Sequence, residues 1–148
     1  MRILRTGLVA LAIVLSGCAA SGAKHKDMAA SIPAMKPDQG RIYFLRSSSV
    51  FGAAIQPAIT LDGNKVGDSR PGGFFYVDSN PGNHEVMCST EVDKKLTFTL
   101  DKGEVKYVKT SVGLGVLVGR VIPSLMIEEE ATRELPDLSY TGVLPGNK

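Results

Sequence analysis

Apolar and polar residues alternate in short runs from about residue 40 onward, which is the spacing of β-strands rather than of helices. The clearest run covers residues 95–100, in which Leu96, Phe98 and Leu100 share one face and polar side chains share the other. The apolar face is expected to lie on a core. Further strands are expected at residues 41–46, 59–61, 64–66, 74–77, 84–90 and 104–111.

The connections between these runs carry residues that favour tight turns. An Asp-Gly pair at residues 62–63 suits a two-residue type I′ turn, in which both central residues need positive φ angles. This turn would place Ile59 opposite Val66 and Thr60 opposite Lys65, so that apolar faces apolar and polar faces polar. Other turns are expected at residues 71–73, 80–83 and 101–103, each of which contains glycine.

An uncharged run, VGLGVLVG, occupies residues 112–119 and ends at Arg120. We interpret residues 112–122 as a buried final strand, because a short continuous apolar run is consistent with a strand covered on both faces. The alternative is a segment that inserts into a membrane. Eight residues are too few to span a bilayer, which takes about 20.

A helical signal follows only near the C-terminus. Ser124 is a candidate N-cap, and residues 128–135 place glutamates at the start and Glu129 with Arg133 at i,i+4 spacing. Pro136 is expected to end this helix. Residues 141–148 are expected to form a frayed tail.

About seven short strands separated by close turns predict an all-β fold. The expected architecture is a single antiparallel β-sandwich followed by the short helix. A length of 148 residues suits one domain, which we place at residues 40–140.

The N-terminus has the proportions of a bacterial secretory signal. Arg2 and Arg5 precede an apolar stretch at residues 7–15, which is too short to span a membrane. The residues that follow resemble a lipobox, in which a branched apolar residue and two small residues precede a cysteine. These four residues are Leu15, Ser16, Gly17 and Cys18.

The lipobox resemblance implies cleavage after Gly17, so that residues 1–17 are a signal peptide and Cys18 is the lipid attachment site. Three acyl chains, palmitate among them, would then hold the protein to a membrane. An ordinary secretory signal is the alternative. Because Ala19 rather than aspartate follows the cysteine, analogy with enteric bacteria favours the outer membrane, facing the periplasm.

Residues 18–39 are expected to be the lipidated cysteine and a flexible tether, since they are rich in alanine, lysine, serine and proline. Removal of the signal also changes the charge. The chain holds 17 basic and 15 acidic residues, and loss of Arg2 and Arg5 leaves 15 of each sign. A formally neutral chain gives no reason to expect nucleic acid as a partner.

Cys88 is the only thiol that remains once Cys18 carries lipid, so no disulfide within the chain is expected. It alternates in phase with Val86, which predicts that both side chains point inward. A buried thiol of this kind is chemically inert.

Five motifs occur in a characteristic order: RIYF at 41–44, LDGNKVG at 61–67, PGGFF at 71–75, NPGNHEV at 80–86 and TSVG at 110–113. Together with the lipobox they resemble the domain of unknown function 2846 family of small bacterial lipoproteins, over about residues 40–140. The middle part also resembles the PEGA type of surface β-domain, which implies an immunoglobulin-like or transthyretin-like sandwich. Neither resemblance brings a catalytic residue.

Candidate catalytic and metal-binding residues are sparse. His84 is the only histidine of the predicted domain, and a hydrolase would need it beside a nucleophile. The glutamates at 128–130 suit the start of a helix, and one histidine with one cysteine falls short of a metal site. We therefore expect no enzyme activity, no metal and no cofactor.

Phe51, Phe74 and Tyr76 form the candidate partner surface. Phe51 lies in the longest connection, residues 47–54, and Phe74 and Tyr76 share one face of a strand. An exposed aromatic pair would be a binding patch, whereas a buried pair would belong to the core. The expected function is non-enzymatic binding or scaffolding of an envelope protein. The alternatives are a small-ligand or glycan-binding module on the Phe74 face and a hydrolase centred on His84.

Overall fold

The computed structural model describes residues 19–142, so the predicted signal peptide, Cys18 and residues 143–148 lie outside the described part. Within residues 19–142, nine strands form two sheets. No helix in this part of the chain is long and apolar enough to cross a bilayer. The strands are β1 (Gly40–Leu45), β2 (Ala58–Leu61), β3 (Asn64–Asp68), β4 (Gly73–Ser79), β5 (Gly82–Ser89), β6 (Asp93–Leu100), β7 (Val105–Gly113), β8 (Arg120–Met126) and β9 (Ser139–Tyr140), and the helices are α1 (His25–Met28) and α2 (Glu128–Glu134).

The larger sheet has the strand order β8-β7-β1-β4-β9, and the smaller sheet has the order β3-β2-β5-β6. The mostly β, sandwich-like architecture confirms the predicted fold class in outline. The expectation of a purely antiparallel sandwich is wrong, because β1 runs parallel to β7 and β4 runs parallel to β9. Strand direction follows from how the chain crosses between the sheets, and local alternation does not encode that path.

The hairpin of β2 and β3 largely follows its sequence prediction. Asp62 and Gly63 have φ angles of 51° and 81°, as a turn with two left-handed residues requires. Thr60 pairs with Lys65 as expected. Ile59 pairs with Gly67 instead of Val66, because a bulge shifts the register by one residue.

The main core lies between the two sheets. The rings of Phe44 and Phe75 stack there with centroids 4.8 Å apart. Phe98, Leu100 and Cys88 are buried in the same cluster, which confirms the inward face predicted for residues 95–100 and the buried thiol.

A second apolar cluster covers the outer face of the larger sheet, where α1 and α2 pack against it. Because both faces of this sheet are covered, the neighbouring residues Phe74 and Phe75 are both buried although they point in opposite directions. The cluster consists of Met28, Leu45, Phe74, Tyr107, Ala131, Leu135 and Leu138.

Residues 19–39 differ from the predicted flexible tether, because they fold onto the outer face of the larger sheet. They include α1 and a single 3-10 turn at Ala29–Ser31. The backbone N–H of His25 donates to the carbonyl of Leu138 at 2.9 Å. Met28 is buried in the outer cluster and Ile32 packs against it. Met28 and Ile32 lie among small and polar residues and are too few to show a period, so the sequence pattern did not indicate this contact.

A buried ion pair on the larger sheet also binds the segment at residues 19–39. The Arg41 guanidinium makes two hydrogen bonds to the Asp78 carboxylate, at 2.6 and 3.0 Å. Its remaining NH₂ group donates to the carbonyl of Pro33 at 2.9 Å, and the backbone N–H of Lys36 donates to Asp78 at 3.2 Å. Arg41 and Asp78 thus fix the course of the chain that leads into β1.

The C-terminal part departs from prediction at three points. The apolar run at 112–122 is not one strand, since β7 ends at Gly113 and β8 begins only at Arg120. Ser124 lies inside β8 and does not cap the helix, which begins after Ile127. Residues 141–142, expected to belong to a frayed tail, are attached to the sheet, because the N–H of Thr141 donates to the carbonyl of Phe74 at 2.9 Å.

Candidate functional site

Three connections meet at one end of the sandwich: residues 46–57 after β1, residues 90–92 after β5 and residues 114–119 after β7. β1 and β7 run parallel, so the connections that follow them leave from the same end of the larger sheet. A Cβ atom placed on Gly119 would touch the side chain of Ile55, which shows that the first and third connections are in contact.

This end of the molecule exposes an unusual number of large apolar side chains. Leu117 is 88% exposed, Leu114 and Val116 are each 83% exposed, and Phe51 is 59% exposed. Soluble proteins seldom expose contiguous apolar patches without a binding role. We name the surface the apolar end, and it comprises Val50, Phe51, Val92, Leu114, Val116, Leu117 and Val118.

The exposure of residues 114–118 contradicts the burial expected for the final strand. The chain leaves the sheet at Gly113 and returns at Gly119, whose φ angle of 152° is easily adopted only by glycine. Gly115 lies so close to Glu91 that an added Cβ atom would collide with the carboxylate. The glycines of VGLGVLVG therefore let the loop close around the Glu91 carboxylate. The hydrophobicity of the run gives no sign of this role.

Glu91 organises the loop at 114–119 from the neighbouring β5–β6 turn. Its carboxylate accepts the backbone N–H groups of Val116 and Leu117, both at 2.8 Å, and of Val118 at 3.3 Å. The Nε–H of Arg120 donates to the same carboxylate at 3.0 Å. The Glu91 side chain is only 9% exposed. The loop conformation is thus fixed by charge-assisted hydrogen bonds.

The same contacts keep Glu91 ionised. The N–H groups of Leu117 and Val116, followed by Arg120 and Val118, lower the pKa of Glu91 to about 2 against the opposing effect of burial. Sequence analysis did not single out Glu91. Nothing near it in the sequence marks an acceptor, because its partners are 25 to 29 residues away.

Arg46 plays a corresponding role for the connection after β1. Its buried guanidinium donates to the carbonyls of Ile55 at 2.5 Å, Gly52 at 2.7 Å and Ser69 at 2.8 Å. Burial lowers the pKa of Arg46. Phe51 projects from the loop that these bonds hold, beside a concavity of about 150 Å³.

The three predicted surface aromatics have different environments. Phe51 is exposed at the apolar end, as a partner surface would need. Phe74 is 1% exposed and contacts the ring of His25 edge-on, with centroids 5.2 Å apart. Tyr76 is half-buried. The guanidinium carbon of Arg41 lies over its ring, 4.5 Å from the ring centroid. Phe74 and Tyr76 therefore do not form an exposed aromatic pair, because the N-terminal segment covers that face.

His84 lies in a polar cluster that leaves it no free ring nitrogen. Its Nδ1 is 2.6 Å from a carboxylate oxygen of Asp62, and its Nε2 is 2.8 Å from the carbonyl oxygen of Asn80. Both partners are hydrogen-bond acceptors, so both ring nitrogens are engaged in contacts within the cluster. With both ring nitrogens held in these contacts, His84 has none directed at a substrate.

Asp62 also accepts a hydrogen bond from the backbone N–H of Glu85 in the neighbouring strand β5. Burial would raise the pKa of Asp62, but hydrogen bonds from the backbone N–H of Glu85 and from His84 hold it below its usual value. A broad concavity of about 560 Å³ lies beside this pair, lined by polar residues that include Thr97 and Thr99. The cluster joins the β2–β3 turn to β5.

Cys88 is fully buried, and desolvation raises its pKa to about 11. A thiol in this state is neither a nucleophile nor a metal ligand at neutral pH. Among residues 19–142, no three side chains of His, Cys, Asp or Glu converge as a metal site.

The described residues define a small two-sheet β-domain with an ordered apolar end. The chain belongs to the family described as "Protein of unknown function (DUF2846)", which matches residues 36–120, more than half of its length. The predicted family is thereby confirmed. The chain is also similar to an uncharacterised protein of Haemophilus influenzae, at 23% identity over 139 residues that cover 91% of this chain and 82% of the relative. No solved structure shows a significant match.

Proposed function

We propose that this protein is a lipid-anchored component of the bacterial envelope whose β-domain binds another envelope component through the apolar end, without catalysing a reaction. The observation that carries the proposal is the exposure of Leu114, Val116 and Leu117 on a loop with a fixed conformation. An ordered apolar surface costs solubility and has little use except in binding.

The way the loops are held supports a preformed binding surface. Arg46 is buried and the Glu91 side chain is only 9% exposed, and each makes several charge-assisted hydrogen bonds with the loop backbone. A surface ordered before binding loses less conformational entropy when a partner docks. Phe51 adds an aromatic side chain to the aliphatic loop surface, and aromatic residues are enriched at interfaces.

The anchor in this proposal is the lipobox at Leu15, Ser16, Gly17 and Cys18. Acyl chains on Cys18 would hold the protein on a membrane, and Ala19 favours the periplasmic face of the outer membrane. We further propose that the sandwich is of the immunoglobulin-like or transthyretin-like type, for which the two-sheet architecture is the support.

The two alternatives have weaker structural support. A glycan-binding face built on Phe74 and Tyr76 would need both rings exposed, and Phe74 is buried. A hydrolase would need His84 to accept a proton, and its contacts to Asp62 and Asn80 occupy both nitrogens.

Site-specific photo-crosslinking in intact cells tests the binding proposal. A photoreactive amino acid replaces Phe51 in the full chain, and the matched control carries it at Lys102, in the turn between β6 and β7. We expect an envelope component to be captured from Phe51 and not from Lys102. Equal capture from both positions, or none from Phe51, would refute a binding role for the apolar end.

The Cys18→Ser variant tests the anchor separately. We expect it to accumulate as an unlipidated precursor. Maturation to the same mass as the parent protein, with retention on membranes in high salt, would refute lipidation at Cys18.

A further inference from the structure

Ala20 lies at the same end of the larger sheet as the apolar end. The backbone N–H of Ala20 donates to the carbonyl of Pro71 at 3.1 Å. A Cβ atom on the adjacent Gly72 would lie 3.5 Å from the side chain of Ser48, in the connection that carries Phe51. The predicted lipid attachment site, Cys18, is bonded directly to Ala19. Ala20 and the apolar loops therefore belong to the same end of the domain, and the predicted anchor is attached two residues before Ala20.

The loop at 114–119 extends farther in this direction than Ala20, which lies beside Gly73 at the start of β4. Leu45, the last residue of β1, is level with Lys109 of the parallel strand β7. β7 continues for four more residues to Gly113, which adds about 13 Å at the rise of an extended strand. A membrane that holds lipid attached next to Ala19 would thus meet the loop tip.

The chemistry of the tip suits lipid. Residues 112–118 carry no charged side chain. Backbone N–H groups that enter an apolar phase without partners are costly, but Glu91 already accepts those of Val116, Leu117 and Val118. Arg120 balances the charge of Glu91 by direct contact. The tip therefore offers aliphatic groups to the bilayer while three of its backbone N–H groups are satisfied by Glu91.

We infer that the loop at 114–119 inserts into the boundary between headgroups and acyl chains of the same membrane that holds Cys18. This inference rests on the proposed lipid anchor, and it names the lipid bilayer as the envelope component that this loop of the apolar end contacts. The loop acts as a second, non-covalent attachment, and the two attachments together fix the orientation of the domain on the membrane. Phe51 lies at the margin of the contact, and the turn at Lys102 points away from it.

Depth-dependent fluorescence quenching tests the inference on the full lipidated chain. A polarity-sensitive fluorophore is attached at Leu117→Cys, and the protein is reconstituted into vesicles of phosphatidylethanolamine and phosphatidylglycerol. Cys18 carries lipid in a thioether and Cys88 is buried, so the label goes to the new thiol alone. Lys102→Cys is the matched control, in the turn before β7, whose first residue Val105 is about 26 Å from Gly113 along the strand.

We expect a blue-shifted emission at position 117, with stronger quenching by lipids whose nitroxide lies high on the acyl chain than by lipids with a deep nitroxide. That order corresponds to insertion by about 5–10 Å. The label at position 102 should stay in water. Adding Val116→Glu to the labelled Leu117→Cys chain should abolish the shift while the protein remains on the vesicles.

Three outcomes would overturn the inference. A label at 117 that stays in water on anchored protein excludes insertion and leaves the lipid anchor intact. A label that is shielded but not quenched by any lipid nitroxide points to a second copy or another protein as the occupant. A chain whose mature N-terminus lacks lipid and which fails to bind the vesicles refutes the anchor instead.

Discussion

Replacing Asp78 by asparagine should strongly destabilise the domain. The carboxylate accepts two hydrogen bonds from Arg41, and both side chains are less than 10% exposed. Asp78→Asn keeps the shape of the side chain but leaves the Arg41 charge buried without a counter-ion. Breaking one partner of a buried pair costs about 3–5 kcal/mol in the free energy of unfolding.

For a domain of this size the loss corresponds to a fall in melting temperature of roughly 10–20 °C. The matched control is Asp137→Asn, which removes the same charge from a solvent-exposed pair with Lys26 at 2.8 Å. Exposed pairs contribute about 1 kcal/mol or less. Thermal and urea unfolding of both variants measure the difference.

The pH dependence of the melting temperature tests whether the loss of the Asp78 charge causes the destabilisation. Burial alone would raise the pKa of Asp78, but the hydrogen bonds from Arg41 and Lys36 hold it below its usual value. A lowered carboxyl pKa stabilises the fold above the unfolded value of about 4, and the contribution is lost as the pH falls through the folded pKa. The difference in melting temperature between the parent protein and Asp78→Asn should therefore become smaller below about pH 4. Melting temperatures within about 2 °C of each other for the two variants at pH 7 would refute the argument.

The remaining predictions concern the core and the loop. Phe98→Ala should cost about 3–5 kcal/mol in urea unfolding, because Phe98 is buried, and Thr97→Ala on the exposed face should cost well under 1; similar losses would contradict the strand phase. Cys88, with its pKa raised to about 11, should react with thiol reagents at pH 8 only in denaturant. Glu91→Gln should reduce hydrogen-exchange protection at 116–118 at pH 7. In the parent chain this protection, corrected for intrinsic exchange, should decline as the pH falls from about 4.5 towards 2, and an unchanged profile would contradict the role of Glu91.

Features that depend on near neighbours in the sequence were predictable. The Asp-Gly turn at 62–63 is set by the φ angles of two residues, and the inward face of 95–100 is set by a period of two. Even here a tertiary effect intervened. The bulge pairs Ile59 with Gly67, and the ring of Phe75 from β4 occupies the space that a side chain at position 67 would need.

The candidate site was predictable only in fragments. Phe51 was singled out and is exposed, whereas Phe74 was singled out with it and is covered by α1. Phe51 and Phe74 are both phenylalanines, so hydrophobicity does not distinguish them. Which of the two meets solvent depends on whether another segment packs on it, and that segment begins some 50 residues earlier in the chain.

The sequence by itself determined the turns, the phase of the clearest strand and the family, because each is written in consecutive residues or in their order. Tertiary structure alone decided that residues 114–118 are exposed, that the N-terminal segment is folded onto the sheet and that Glu91 holds the loop. An apolar run lowers its free energy by burial in a core or in any other apolar medium, and hydrophobicity does not distinguish the two. The choice is made by partners distant in sequence, a carboxylate 25 residues from Val116 and glycines that turn the chain away from the sheet.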